Sequence, residues 1–384
     1  MNHSPFRVGF LLITLLLACF ALPQTVPAAE YRNFNTADGQ SALYEIRFYS
    51  ANTGSINTAI GSFALADDTS GSYNTATGGY ALYLNSTGSY NTATGAEALS
   101  LNTADNNTAT GYSALYLNTT GSQNTASGAN ALYHNTTGFG NTANGSQALL
   151  NNTTGNDNTA SGLDALWSNT TGFGNTANGF SALFYNTTGS NNTANGLYAL
   201  FSNTTASDNT ATGFKALLSN TTGNNNTANG YQALYSNASG NYNTANGFQA
   251  LYSNTTGNYN TANGVDALVL NTTGALNTAE GLFALFNNTI GNFNIALGYN
   301  AGGNLTTGSN NIDIGNAGVA GESNTIRIGT QGTQSATFIA GVSGVSVTGS
   351  TVVVNSSGQL GVTGISSRRR SGSGTGTAER RARV

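Results

Sequence analysis

Few side chains in this sequence are equipped to make or break covalent bonds. It holds two histidines, His3 and His134, and one cysteine, Cys19, so no intrachain disulfide can form. Ser-His-Asp or Cys-His catalysis needs a nucleophile, a base and a third group that orients the base. His134 has no such partners near it in sequence, and it reads as a solvated loop histidine. Carboxylates are the other resource, because two of them at a set separation can cleave a glycosidic bond. Asp157 and Asp164 lie close enough in sequence to meet, Asp208 and Asp266 stand alone, and Asp67-Asp68 is the one adjacent pair. Asp157, Asp164, Asp208 and Asp266 fall at variable positions of the repeat described below and Asp67-Asp68 lies near the N-terminal cap, which favours scattered solubilising charge. No zinc-type Cys/His spacing and no G-G-x-G-x-D calcium repeat occurs, and Gly78-Gly79 and Gly302-Gly303 read as turns rather than phosphate loops. Catalytic, cofactor-binding and metal-binding residues are therefore expected to number none.

Two other surface features recur instead. N-x-[ST] sequons such as those at Asn118, Asn135, Asn169 and Asn203 would accept glycans in a eukaryotic secretory route, but Asn and Thr also serve turns, the reading favoured here. Threonine pairs, including Thr119-Thr120, Thr136-Thr137 and Thr170-Thr171, would form a hydroxyl-and-methyl array if stacked. Ice-binding solenoids display such arrays. These pairs sit between Asn and Gly, however, which is turn chemistry rather than a flat strand face.

What positions these residues is a repeat, N-T-A-x-G-x-x-A-L-x-x-N-T-T-G-x-x. Copies open at Asn57, Asn74, Asn91, Asn107, Asn124, Asn141, Asn158, Asn175, Asn192, Asn209, Asn226, Asn243, Asn260, Asn277 and Asn294. Each step is 17 residues except the 16 from Asn91 to Asn107, which reads as a shortened loop, and a diverged copy opens at Asn35. A short period sustained this long predicts a solenoid. Within a copy, N-T-A-x-G suits a strand and N-T-T-G a turn. The middle is ambiguous. Its apolar sixth, ninth and tenth positions fit one helical turn, but they also fit a strand apolar on both faces. One copy cannot bury its Leu alone, whereas coils stacked about 4.8 Å apart bury it in a continuous column. In register, the Asn of N-T-A would form a ladder of amide bonds. Fifteen coils would make a rod of roughly 70 Å. The tenth-position residues Tyr83, Tyr116, Trp167, Phe201 and Tyr252 would form a column serving as core first, then interface, then sugar-stacking surface.

Composition and charge limit the partners. Charged residues make up 7% of the chain, and the three prolines all lie before residue 30. Residues 30–367 carry 4 basic and 14 acidic groups, a net of −10, which gives no electrostatic footprint for nucleic acid. Residues 1–29 read as a signal peptide, with Arg7, the 15-residue apolar run Val8–Leu22 and a small-residue exit at Ala28-Ala29. Leu16-Leu17-Ala18-Cys19 offers a lipoprotein alternative, and in either case the body is exported, without a transmembrane segment in the mature chain. The expected divisions are the signal peptide 1–29, an N-terminal cap 30–56, the repeat solenoid 57–293, a β-rich closing segment 294–365 and a basic tail 366–384. In the closing segment Ile or Leu replaces Thr, as in Asn294-Ile295-Ala296-Leu297-Gly298, Asn311-Ile312-Asp313-Ile314-Gly315 and Thr325-Ile326-Arg327-Ile328-Gly329. These read as strands apolar on one face, followed by further strands at Ala336–Ala340, Val345–Val347 and Thr351–Val354.

Asn294-Ile295-Ala296-Leu297-Gly298 resembles the head repeats of trimeric autotransporter adhesins (YadA-like), and the 17-residue unit looks like a longer relative of them. Residues Asn311–Gly344 and the junction Val352–Val362 resemble the segment preceding the endosialidase-type intramolecular chaperone of fibre and tailspike proteins. Together the resemblances cover about residues 35–365. They imply a mainly β, parallel β-roll fibre, a homotrimer displayed at a bacterial surface that binds a surface, matrix or glycan ligand. After Ser366-Ser367 the chaperone motif is replaced by Arg368-Arg369-Arg370 and a Gly/Ser/Arg tail, so self-cleavage is assigned to no residue. The composition change suggests an out-of-frame end. The expected function is that of a non-enzymatic adhesin head or shaft, with an ice-binding or glycan-binding solenoid as alternative and a polysaccharide-degrading β-helix behind both.

Overall fold

The computed structural model describes residues 29–31, 34–45, 52–337, 352–356, 358 and 360–362. The expected signal peptide with Cys19, the strands at 338–351 and the tail 366–384 lie outside the described residues, as does most of Tyr44–Tyr49.

The chain is a parallel β-solenoid. Eighteen strands, from Asn35–Asp38 to Ile326–Ile328, form one parallel sheet, with Ala29–Tyr31 pairing antiparallel at its N-terminal edge. Each regular coil contributes three residues to the sheet, and like stands on like: Thr176 beside Thr193, Ala177 beside Ala194, Asn178 beside Asn195. Because side chains alternate across a strand, Ala points inward and the flanking second and fourth residues point outward. A separate hairpin joins Val352–Val354 to Leu360–Val362. The sheet runs on without interruption through Ile295–Leu297 and Ile312–Ile314, so the first part of the closing segment is three more coils of the same stack.

The core is narrow and monotonous. It consists of the third-position Ala, the eighth-position Ala and the ninth-position Leu of each copy, for example Ala160, Ala165 and Leu166, all fully buried. The tenth-position column is half-buried and outside this core, which corrects its expected first role. Its rings stack on one another instead, Trp167 on Phe184 at 5.2 Å and Tyr235 on Tyr252 at 4.9 Å.

No helical turn fills the middle of the coil. The seventh and ninth residues take left-handed backbone, as at Asp164 (φ 59°) and Leu166 (φ 54°). Their neighbours do not, and the alternation aims successive N–H groups at opposite ends of the rod. The Asp164 N–H donates to Ser146 O on the preceding coil, while the Leu166 N–H donates to Ala182 O on the following one. A single helical turn would carry its nucleation cost with little return. Neighbouring coils offer ready carbonyls for the seventh- and ninth-position N–H groups, while the eighth-position N–H turns back to its own coil, as Ala165 does to Gly162 O, so the between-coil bonds win. A left-handed Leu costs on the order of 1–2 kcal/mol, and it recurs from Leu43 to Leu285 because neighbouring coils fix it.

Two asparagine ladders close the coil. The first-position Asn158 donates through Nδ2 to Asn141 Oδ1 at 3.1 Å and to Gly172 O at 2.9 Å, and its own Oδ1 accepts the Asn175 backbone N–H at 3.0 Å. The twelfth-position Asn169 donates to Asn152 Oδ1 at 2.8 Å and to the same Gly172 O at 3.0 Å. Each Asn thus satisfies buried backbone groups that a turn of this shape cannot satisfy itself. The 16-residue coil keeps both ladders, since Ala104 O accepts from Asn91 and Asn102. The short step is a trimmed loop, as its sequence suggested.

At the C-terminal end the apolar strand residues face outward rather than into a core. Ile295, Leu297, Ile326 and Ile328 are 45%, 52%, 66% and 70% exposed, while the inward places hold Ala296 and Asp313. The Leu of the repeat also moves. Gly302 takes the ninth position and the buried Leu305 takes the twelfth, where earlier copies carry Asn.

Candidate functional site

Asp157, Asp164, Asp208 and Asp266 do not converge. Asp157 and Asp208 occupy the exposed seventeenth column, whereas Asp164 and Asp266 occupy the seventh. Burial raises Asp164 and Asp266 above the usual carboxylate range, but no partner carboxylate stands beside either on its column. Among the described residues no group of three or more His, Cys, Asp or Glu side chains is placed to hold a metal. His134 is half-buried at the eleventh position. Its Nδ1 pairs with Asn151 Oδ1 at 3.1 Å, and its ring meets Tyr133 edge-on at 4.7 Å.

Two acids are buried for structural reasons that sequence did not reveal. Asp68 stands in the twelfth-position ladder where later copies have Asn, and it is fully buried. Its oxygens accept from the Gly71 N–H at 2.8 Å and from Asn57 Nδ2 at 3.0 Å. Desolvation outweighs the Gly71 bond and pushes its carboxyl up to about 8, which favours the protonated form in the fold. Asp313 replaces the inward Ala of its strand, and among the described residues neither of its oxygens has a hydrogen-bond partner. Burial pushes it up to about 6, with the Glu322 charge adding to the rise and Arg327 opposing it. Arg327, its register neighbour, instead pairs with Glu322 at 2.6 Å, which holds that carboxyl below its ordinary range. Inward polar residues at strand centres were the signal for Asp313. For Asp68, the signal was a departure from Asn at a ladder position.

The sequon asparagines are rungs of the ladder. Asn118, Asn135, Asn169 and Asn203 are all fully buried, and Asn118 Nδ2 is committed to Asn102 Oδ1 and Gly121 O. The folded rod does not offer these amides to a glycosylating enzyme. In the threonine pairs, the first hydroxyl is likewise used internally, Thr119 Oγ1 donating to Thr136 O at 2.9 Å.

The regular outward array lies on the strands instead. Thr75, Thr92, Thr108, Thr125, Thr142, Thr159 and Thr176 form an exposed rank at the second position. The fourth position adds Thr77, Thr94, Thr110 and Ser127 beside the first four. Sequence reasoning weighed the turn threonines and overlooked these, although the alternation of N-T-A-x-G contained the signal.

A shallow groove of about 340 Å³ crosses the sixth-, seventh-, tenth- and eleventh-position columns, lined by Tyr112, Tyr133 and His134 together with Glu97, Ser113 and Asn130. Elsewhere the outward aromatics are largely paired off into stacks, such as Phe214, Tyr231 and Phe248 at 5.1 Å intervals. No helix among the described residues is long and apolar enough to cross a membrane. No family model, curated protein or solved structure matches the chain.

Proposed function

We propose that this chain is an exported, non-catalytic structural or adhesive fibre, the head or shaft of a bacterial surface adhesin, assembled as a homotrimer. One observation carries the reading. The inward first, third, eighth, ninth and twelfth positions hold Asn, Ala, Ala, Leu and Asn in copy after copy, while the outward sixth, seventh, tenth, eleventh and seventeenth positions change freely. A rod with an invariant interior and a variable exterior is a scaffold for display. Asp157, Asp164, Asp208 and Asp266, none with a second carboxylate on an adjacent coil of its column, support the absence of catalysis. The outward Ile and Leu of the last three coils support packing against further copies of the chain, because an apolar patch of this kind seeks cover. The resemblance of Asn294–Gly298 to trimeric adhesin heads points to three copies.

Sedimentation equilibrium of the full chain tests the assembly. A species of three times the chain mass is expected, together with surface labelling of intact cells expressing it. A folded monomer would remove the trimer, and an intracellular pool without surface label would remove the display role.

A second reading, ice binding, is favoured by the strand threonines. Their rank repeats about every 4.8 Å between coils and about every 6.6–6.8 Å from second to fourth position along a strand, a regular two-dimensional array. Thermal hysteresis abolished by Thr108→Tyr would support it. Freezing behaviour no different from that of an inert protein would sink it.

A further inference from the structure

We infer that the groove around Tyr112 is a subsite for an uncharged linear oligosaccharide, an inference that rests on the surface-display reading and gives it a ligand class. Tyr112 differs from most outward rings of the rod. On its column the neighbouring coils carry Ala96 and Ala129, so no ring stacks on it from either side, and it is 57% exposed. A free aromatic face is what the C–H face of a pyranose packs against, whereas a ring stacked between two others offers only its edge. Tyr133, stacked on Tyr116 at 5.2 Å, supplies the opposite wall, and His134 is set edge-on against it.

The floor supplies the polar half of sugar recognition. Along the seventh column run Glu97, Ser113, Asn130 and Gln147, one to a coil, at the coil spacing of about 4.8 Å. That interval is comparable with one sugar unit of a linear chain. The buried Ser113 hydroxyl donates to Glu97 Oε2 at 2.9 Å, which fixes the carboxylate and leaves its second oxygen without a donor among the described residues. Asn130 and Gln147 also have no side-chain partner among the described residues. Farther along the same column Gln249 and Gln232 bond to each other at 3.1 Å, so the open amides are a feature of this stretch rather than of the position. A carboxylate and two amides present the acceptors and donors that adjacent hydroxyls require.

These groups are held ready. The left-handed backbone at Glu97, Ser113, Asn130 and Gln147 (φ 61°, 51°, 56° and 58°) is pinned by N–H bonds to the preceding coil at 2.9–3.0 Å. Little ordering is then left for the ligand to impose. The groove lies at the lower end of the size range of small-ligand sites. The Glu97 carboxylate and the net −10 of the body exclude polyanionic sugars, which leaves neutral ones.

The test uses the full chain with cellohexaose, chitohexaose, maltohexaose and mannohexaose, titrated by calorimetry and saturation-transfer NMR, with a sulfated heparin octasaccharide as the charged probe. Saturable binding to at least one neutral hexasaccharide is expected, weakened tenfold or more by Tyr112→Ala and by Glu97→Gln. Tyr242→Ala, which breaks a stack on the seventeenth column, should leave it unchanged. Far-UV spectra check that each variant keeps its fold. No saturable binding to any neutral probe, binding that survives both groove substitutions, or preference for the sulfated probe would each overturn the inference. A surface-displayed trimer without glycan binding removes the groove alone. A monomer that binds through Tyr112 removes the trimer and leaves the groove standing.

Discussion

Replacing Asn158 with alanine isolates what one ladder rung contributes. The side chain makes four hydrogen bonds: Nδ2 to Asn141 Oδ1 and to Gly172 O, and Oδ1 from the Asn175 N–H and from Asn175 Nδ2. Most of the abandoned partners keep another bond. Gly172 O still accepts from Asn169, Asn141 Oδ1 still accepts the Asn158 backbone N–H, and Asn175 Nδ2 still donates to Gly189 O. The Asn175 backbone N–H keeps none, and it is buried. An orphaned buried donor costs about 1–3 kcal/mol and each replaceable bond about 0.5–1.5 kcal/mol, so a net loss of about 3 kcal/mol is expected. That corresponds to about a hundredfold in the local opening equilibrium. Hydrogen exchange of the Asn175 amide reads this directly, and it suits a solenoid better than a global melt because stability here is a sum over neighbouring coils. Thr159→Ala, one residue along on the exposed face, should change exchange by less than about 0.5 kcal/mol. Asn175 protection within threefold of the parent protein, or equal losses in the two variants, would refute the reasoning that the ladder holds the coils.

Leu166→Ala, at a fully buried position, should cost about 2–5 kcal/mol in thermal unfolding, and a loss below 1 would mean the core relaxes around the gap. Gly162→Ala should be worse than its size suggests. The backbone there has φ 135°, and an added Cβ would come 2.6 Å from Gly179 O, so the coils must part; an unchanged melt would contradict that register. Asp68 gives a pH signature. Its carboxyl titrates at about 8 in the fold against 3.8 unfolded, so unfolding releases a proton between those values. Stability is then full below about pH 4 and falls as pH rises to about 8, by up to about 4 kcal/mol at pH 7. Asp68→Asn should flatten this slope and raise neutral-pH stability, and identical pH profiles for the two proteins would show that the buried acid is not the cause.

The repeat by itself determined the fold class, the register of the regular coils and the first-position asparagine ladder, but not the coils at Ile312–Ile314 and Ile326–Ile328 that extend the same stack. Those follow from a period that puts the same residue on the same spot of every coil, so that Ala, Leu and Asn can be buried only by stacking on their own kind. It also marked the turn at Asn102-Thr103-Ala104-Asp105 as a shortened loop rather than a break. The backbone of the Ala-Leu segment was beyond it. The spacing of Phe180, Leu183 and Phe184 fits a helical turn in isolation, and only the carbonyls of adjacent coils make alternating left-handed residues the better answer. Outward and inward were also decided in three dimensions. The tenth-position rings lost the core to a slimmer Ala-Leu column, and Ile295, Leu297, Ile326 and Ile328 turned to the surface because the register of the preceding strands had already assigned the inward face to the residue between them. A free Tyr112 face, likewise, is a property of what the coils above and below do not carry, which no single copy of the repeat contains.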